Sequence, residues 1–207
     1  FAPITLLSRG ACLVIVPAAS AHRSLADLVA DARKRPGKLN YASGSMSYTL
    51  YSEWFNEMAK IKTAGINYKG AGEAVNAVLT GEVDFAVVDA TGANELARSG
   101  RVRALAFTAP KRSIVLTEVP TVGEAGYPDY LAFNWVAAAV SSKAPPAALE
   151  QLGALFAKAA QTPEIQAYYR KQGTELIMSS APELRRYQAE EIERWKRLMG
   201  ITGIELQ

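Results

Sequence analysis

Short apolar runs alternate with amphipathic stretches along most of the chain. Leu13–Pro17 is an apolar run ended by proline, and the opening Phe1–Leu7 reads as a loop leading into that strand. Ser24-Leu25-Ala26-Asp27 has the form of a capping box, and Leu25, Leu28 and Val29 give the following helix its apolar face. Pro36-Gly37 ends that helix. Leu39–Ser43 predicts a strand, and the polar stretch Gly44-Ser45-Met46-Ser47 predicts a loop that opens a helix carrying Leu50, Trp54, Phe55 and Met58 at helical spacing. Gly65–Lys69 predicts another strand, Gly70-Ala71-Gly72 a turn, and Glu73–Thr80 a helix with Gly81 just past its end. Val83–Val88 and Val102–Thr108 are continuous apolar strands, separated by a short helix that Gly100 stops. This alternation implies right-handed βαβ units and a parallel sheet.

The pattern then changes. Pro110, Pro120, Gly123, Gly126 and Pro128 mark an irregular crossing segment. Beyond it come a long strand, Leu131–Val140, and two proline-started helices, Pro145–Ala160 and Pro163–Gln172. A short strand at Glu175–Met178, a long amphipathic helix over about Pro182–Met199 and an edge strand at Ile201–Leu206 complete the reading. There is no internal repeat.

Composition narrows the chemistry. A chain of 207 residues that is 49% hydrophobic can bury a sizeable core, in one or two domains. The net charge of +3 is no nucleic-acid signature, and the cation pairs Arg33-Lys34-Arg35, Lys111-Arg112, Arg185-Arg186 and Lys196-Arg197 are scattered and read as solvated. Cys12 is the one cysteine, so no internal disulfide forms. His22 is the one histidine; any zinc site or Ser-His-Asp relay rests on it, and its place in a loop reads as a surface histidine. No metal or cofactor is expected. No apolar run reaches the roughly 18 residues of a membrane span. No signal peptide is visible, and Phe1 reads as an entry into the middle of a fold.

Three strand–helix turns draw attention. Gly70-Ala71-Gly72-Glu73-Ala74-Val75 tempts a dinucleotide reading, with Asp89 at the distance of a ribose-binding acid, but Val75 is bulky where that motif needs a small residue. The stretch Ser43-Gly44-Ser45-Met46-Ser47-Tyr48-Thr49 leads into a helix N-terminus, where unpaired amides and the dipole attract anions. One hydroxyl is expected to cap the helix; the others exceed what a cap needs. The sequence G-S-M-S-Y is not a nucleophile elbow. Asp89, with Thr91 and Gly92 after it, reads first as an N-cap. Trp135 reads as core, with a cleft-wall role left open.

Taken together, several strings resemble the Bug family, the substrate-binding components of tripartite tricarboxylate transporters. They are FAPITLL, SLADLVADARKRPGKLNYAS, INYKGAGEAVNAVLTGEVDFAVVDA, SGRVRALAFTAPKRS and TEVPTVGEAGYPDY with a tryptophan after it. The resemblance implies a type II periplasmic binding fold: α/β, two Rossmann-like lobes with mostly parallel sheets, and a first lobe incomplete here. Residues 1–12 and 131–207 would belong to that first lobe and 13–130 to the second. It implies an extracytoplasmic, periplasmic protein that holds a small organic carboxylate for membrane transporter subunits and catalyses nothing. The ligand-binding residues it points to are Ser43, Gly44, Ser45, Ser47, Tyr48, Thr49, Tyr68, Lys69, Gly70, Asp89, Thr91 and Trp135. The family's opening strand and Gly-rich loop have no counterpart here, and Met46 and Thr49 stand where Ser and His are frequent. A dimer completing the first lobe would fit. The alternatives are a ligand-sensing effector domain, an NAD-dependent enzyme using the Gly70 turn, and a truncated chain that binds nothing.

Overall fold

The structure is a computed structural model that describes residues 1–204. In chain order the elements are β1 (Ala2–Pro17), α1 (Leu25–Lys34), β2 (Asn40–Ser43), α2 (Met46–Ala59), β3 (Ala64–Asn67), α3 (Ala71–Thr80), β4 (Phe85–Asp89), α4 (Ala90–Arg98), β5 (Val102–Phe107), β6 (Phe133–Val140), α5 (Pro146–Ala160), α6 (Pro163–Gln172), β7 (Glu175–Leu176) and α7 (Ala181–Thr202). The chain divides into two compact units. The larger holds Ala11–Phe133 and the chain from Leu198; the smaller holds Phe1–Gly10 and Asn134–Arg197.

In the larger unit the strand order is β3-β2-β4-β1-β5. β2 runs parallel to β3 and β4, whereas β1 runs antiparallel to both β4 and β5. Four strands therefore point one way and β1 threads between them in reverse. The sheet is mostly parallel, as the alternating pattern predicts; the reversed strand is not visible in that pattern. Cys12 through Val16 are fully buried, because this run is paired along both edges and covered on both faces. Helices supply the cover through single apolar stripes: Leu25, Leu28 and Val29 from α1, Leu50 and Phe55 from α2, Ala74, Ala77 and Val78 from α3.

β1 is much longer than the Leu13–Pro17 run suggests. Phe1–Leu7 is not a loop: Ile4, Thr5 and Leu6 are buried within the strand. Pro3 hides this extension, yet proline is tolerated near the start of a strand. In the smaller unit Ser8 pairs with Leu176 and Arg9 with Glu175, antiparallel, and β6 also pairs with β1. Burial is thin here. No position of β6 or α6 is fully buried, α5 buries only Ala160, and Val136, Leu155, Tyr168 and Ile192 are exposed. The expected edge strand at Ile201–Leu206 is not seen where it can be judged: Ile201 continues α7, and residues 205 and 206 lie outside the described residues.

Two readings of polar side chains need correction. His22 is not a surface residue: it is 8% exposed, its Nε2 lies 2.9 Å from Asp31 Oδ2, and Ser20 Oγ lies 3.2 Å from its Nδ1. The loop that carries it is tied down by Arg103, whose guanidinium donates to the carbonyls of Ala18, Ser20 and His22. The arginines are not simply solvated either. Arg33 donates to Ala59 O at the end of α2, Arg35 pairs with Asp31, and Arg112 pairs with Glu124 at 2.9 Å. The Arg35 guanidinium, and then His22, hold the Asp31 carboxyl well below the usual carboxylate range.

Candidate functional site

The chain leaves β2 to form β3 on one side, then crosses back through α3 to form β4 on the other. This reversal places a topological switch point between β2 and β4. In open α/β sheets, ligands bind in the crevice outside the strand C-termini at such a point. The residues bordering it are Ser43-Gly44-Ser45 after β2 and Asp89 at the end of β4.

The β2–α2 connection is shorter than the sequence suggests. Ser45 is extended, with φ −167° and ψ 164°, and its carbonyl accepts from Thr49 N, so Met46, Ser47, Tyr48 and Thr49 already form the first turn of α2. Ser43 is buried and its hydroxyl is used inside the turn, donating to Ser45 O at 2.8 Å and meeting Thr49 Oγ1 at 2.7 Å. The expected hydroxyl cap is absent: Ser45 makes no side-chain capping bond to α2. This differs from α1, where Ser24 and Asp27 form a complete capping box.

The β3–α3 turn lies directly against it. Tyr68 N donates to Ser43 O at 2.8 Å. A Cβ on Gly44 would fall 2.5 Å from Ala71 N and 2.5 Å from Gly70 C, so glycine is what lets the two backbones touch. Gly70 is the N-cap of α3 and has no side chain to offer. Two helix N-termini thus abut, neither capped by a side chain, and the amides of Met46, Ser47, Ala71 and Gly72 have no acceptor among the described residues. Each end carries a fraction of positive charge from its helix dipole. The pair makes a ready anion cradle, and the hydroxyls of Ser45 and Ser47 make no hydrogen bond among the described residues.

The third turn is different. Asp89 caps α4, its Oδ1 accepting from Thr91 N at 2.7 Å, so the simple reading of that acid holds. Tyr68 turns its hydroxyl to Glu82 at 2.9 Å, and burial together with that carboxylate raises its pKa above the ordinary phenol value; its contribution at the turn is backbone. Lys69 is exposed, and its amide donates to Glu73, which secures the entry to α3. Trp135 lies in the smaller unit, half-buried, with its ring edge-on to Tyr187 at 5.7 Å. The sequence did not reveal that Gly44 is fixed by contact with Gly70–Ala71; that signal exists only in the packed structure.

The strand order also decides the dinucleotide reading. That motif needs its acid on the strand neighbouring the glycine turn. Here β4, which carries Asp89, is separated from β3 by β2. The Gly70 turn therefore lacks the geometry to place a ribose on Asp89. Among the described residues no cluster of histidine, cysteine or acids could hold a metal ion.

A family model described as the tripartite tricarboxylate transporter family receptor matches residues 1–204. The chain belongs to this family. It is 31% identical to protein BugT of Bordetella pertussis over 191 residues, covering 89% of this chain and 57% of that one. It is 29% identical over 202 residues to a UPF0065 protein of a Pseudomonas strain, covering 96% of this chain and 60% of that one. The chain thus spans about three fifths of the curated relatives it matches. Among solved structures, a Rhodopseudomonas palustris protein with adipate superposes with a TM-score of 0.93 at 27% identity, over 99% of this chain and 69% of that one. The periplasmic binding protein BugD superposes with a TM-score of 0.91 at 24% identity, over 100% of this chain and 71% of that one. The fold of this receptor family member is accordingly the expected α/β, type II-like periplasmic binding fold.

Proposed function

We propose that this receptor-family chain binds a small organic carboxylate reversibly at the β2–α2 and β3–α3 turns, as the periplasmic solute-binding component of a tripartite transporter, and turns nothing over. The observation that carries this reading is the abutting pair of helix N-termini with no side-chain cap, at the switch point of the sheet. Met46, Ser47, Ala71 and Gly72 would donate amides to the carboxylate, with Ser45 and Ser47 adding hydroxyls. Ser43 and Thr49 hold the turn in shape, Tyr48 starts α2, and Tyr68, Lys69 and Gly70 shape the neighbouring turn. Asp89 and Thr91 border the crevice, where a ligand hydroxyl or ammonium would suit the acid. On this reading the smaller unit, which carries Trp135, corresponds to the remainder of a first lobe and the larger unit to the second. The solved R. palustris relative with adipate supports the ligand class.

A thermal-shift and calorimetric series with linear dicarboxylates, tricarboxylates and amino acids tests the proposal. At a ligand concentration of about 100 times Kd, stabilisation of about 2.7 kcal/mol is expected. The Ser45/Ser47 double alanine variant should weaken binding. Silence toward every carboxylate, or unchanged affinity in that double variant and in Asp89→Ala, would remove these turns from the site.

A further inference from the structure

We infer that the end of the larger unit remote from the ligand turns is a docking surface for an anionic lipid headgroup layer. Two loops meet there. Gly37 N donates to Lys62 O at 2.8 Å, Ala64 N to Leu39 O at 2.9 Å, and the Arg33 guanidinium to Ala59 O. These bonds bring Arg33, Lys34, Arg35, Lys38, Lys60 and Lys62 to one end of the unit, and all six are exposed. Two of the acids at this end are already partnered: Asp31 by His22 and Arg35, Asp84 by the Asn40 amide. Glu57 remains open on α2.

The chemistry of the cations points to the kind of partner. The planar forks of Arg33 and Arg35 are committed to Ala59 O and Asp31. What faces outward is a quartet of lysines, Lys34, Lys38, Lys60 and Lys62, none with a side-chain hydrogen bond or ion pair among the described residues. Ammonium groups on flexible stems suit a diffuse sheet of phosphates rather than a shaped carboxylate socket. Protein interfaces are centred on aromatic, methionine and arginine anchors and are poor in lysine. No exposed large hydrophobic residue lies among residues 33–38 or 60–63. This end thus has the charge for a bilayer surface and lacks the anchors of a protein contact. It lies about 20 Å from the ligand turns, the length of α2, so the two roles do not compete.

Sedimentation with vesicles tests this. The protein should bind vesicles of phosphatidylglycerol and phosphatidylcholine, fail to bind phosphatidylcholine alone, and detach as salt rises. Each lysine replaced by glutamine should lower partitioning about fivefold, and the quartet variant should abolish it. A control changing Lys111, Lys143, Lys158 and Lys171 to glutamine, with the same loss of net charge, should retain most of the binding. The readout needs no carboxylate, so it stands or falls apart from the ligand proposal. Absence of binding to anionic vesicles at low salt, equal loss in the two quartets, or binding only to an acidic protein overturns the inference.

Discussion

Replacing Gly44 by alanine tests how the two turns are joined. The added Cβ would fall 2.5 Å from Ala71 N, 2.5 Å from Gly70 C and 2.6 Å from Ala71 Cα. All three are backbone atoms, so no side chain can swing away to make room. The β2–α2 turn must move off the β3–α3 turn, which also strains the bond from Tyr68 N to Ser43 O. Overpacking of this kind costs about 1–3 kcal/mol. For a chain of this size each kcal/mol shifts the melting temperature by about 2–4 °C, which gives a loss of about 2–12 °C. Separation of the amides should also weaken carboxylate binding by about tenfold or more, since 1.4 kcal/mol is a factor of ten. Differential scanning fluorimetry and calorimetry read both effects. Gly92→Ala is the control: nothing lies within 4 Å of the new methyl group, and the position is inside α4. There alanine should be neutral or stabilising by up to about 1 kcal/mol. Equal melting temperatures and equal affinities for Gly44→Ala and the parent would refute the claim that backbone contact shapes the site.

Asp89→Ala should lower stability by about 1 kcal/mol through loss of the α4 cap, whereas Asp89→Asn, which keeps an acceptor, should lose little; denaturant midpoints decide. Arg103→Ala should release the loop at residues 18–22, seen as faster amide exchange there, and Arg103→Lys should rescue it poorly because three carbonyls are held by one planar group. Glu124, held by Arg112 and by the Thr121 amide, is lowered from 4.5 to about 2. Its stabilising effect is therefore present above pH 4.5 and fades as pH falls toward 2, a trend that Glu124→Gln should flatten in acid titrations. Cys12–Val16 should show the slowest amide exchange and α6, which buries no residue, among the fastest.

Much of the fold is written locally. The capping box at Ser24–Asp27, the left-handed Gly81 after α3 and the apolar runs at β4 and β5 all form where the pattern predicts, because each depends on neighbours in sequence. The first half of β1 is hidden in the sequence because it is interrupted by Pro3, Thr5, Ser8 and Arg9, and its strand character comes from partners such as Leu176 far along the chain. The burial of His22 is hidden for the same reason: Asp31 and Arg103, not its own loop, decide it. At the candidate site, residue types single out the turns but not the roles of their side chains. Ser43 and Thr49 spend their hydroxyls on each other, while Ser45 leaves α2 uncapped, a distinction that only three-dimensional packing makes.

The central place of β1 has a consequence for synthesis in the cell. Leu13–Val16 leaves the ribosome long before Val88, Phe107 and the other residues that pair with its edges. At roughly 5–20 residues per second, the wait for β4 is on the order of ten seconds. Throughout it, a valine- and isoleucine-rich strand stands with both edges open, the kind of segment that seeds aggregates. A holdase chaperone bound to the nascent chain at this run would therefore raise the yield of folded receptor more than it would alter the stability of the finished one.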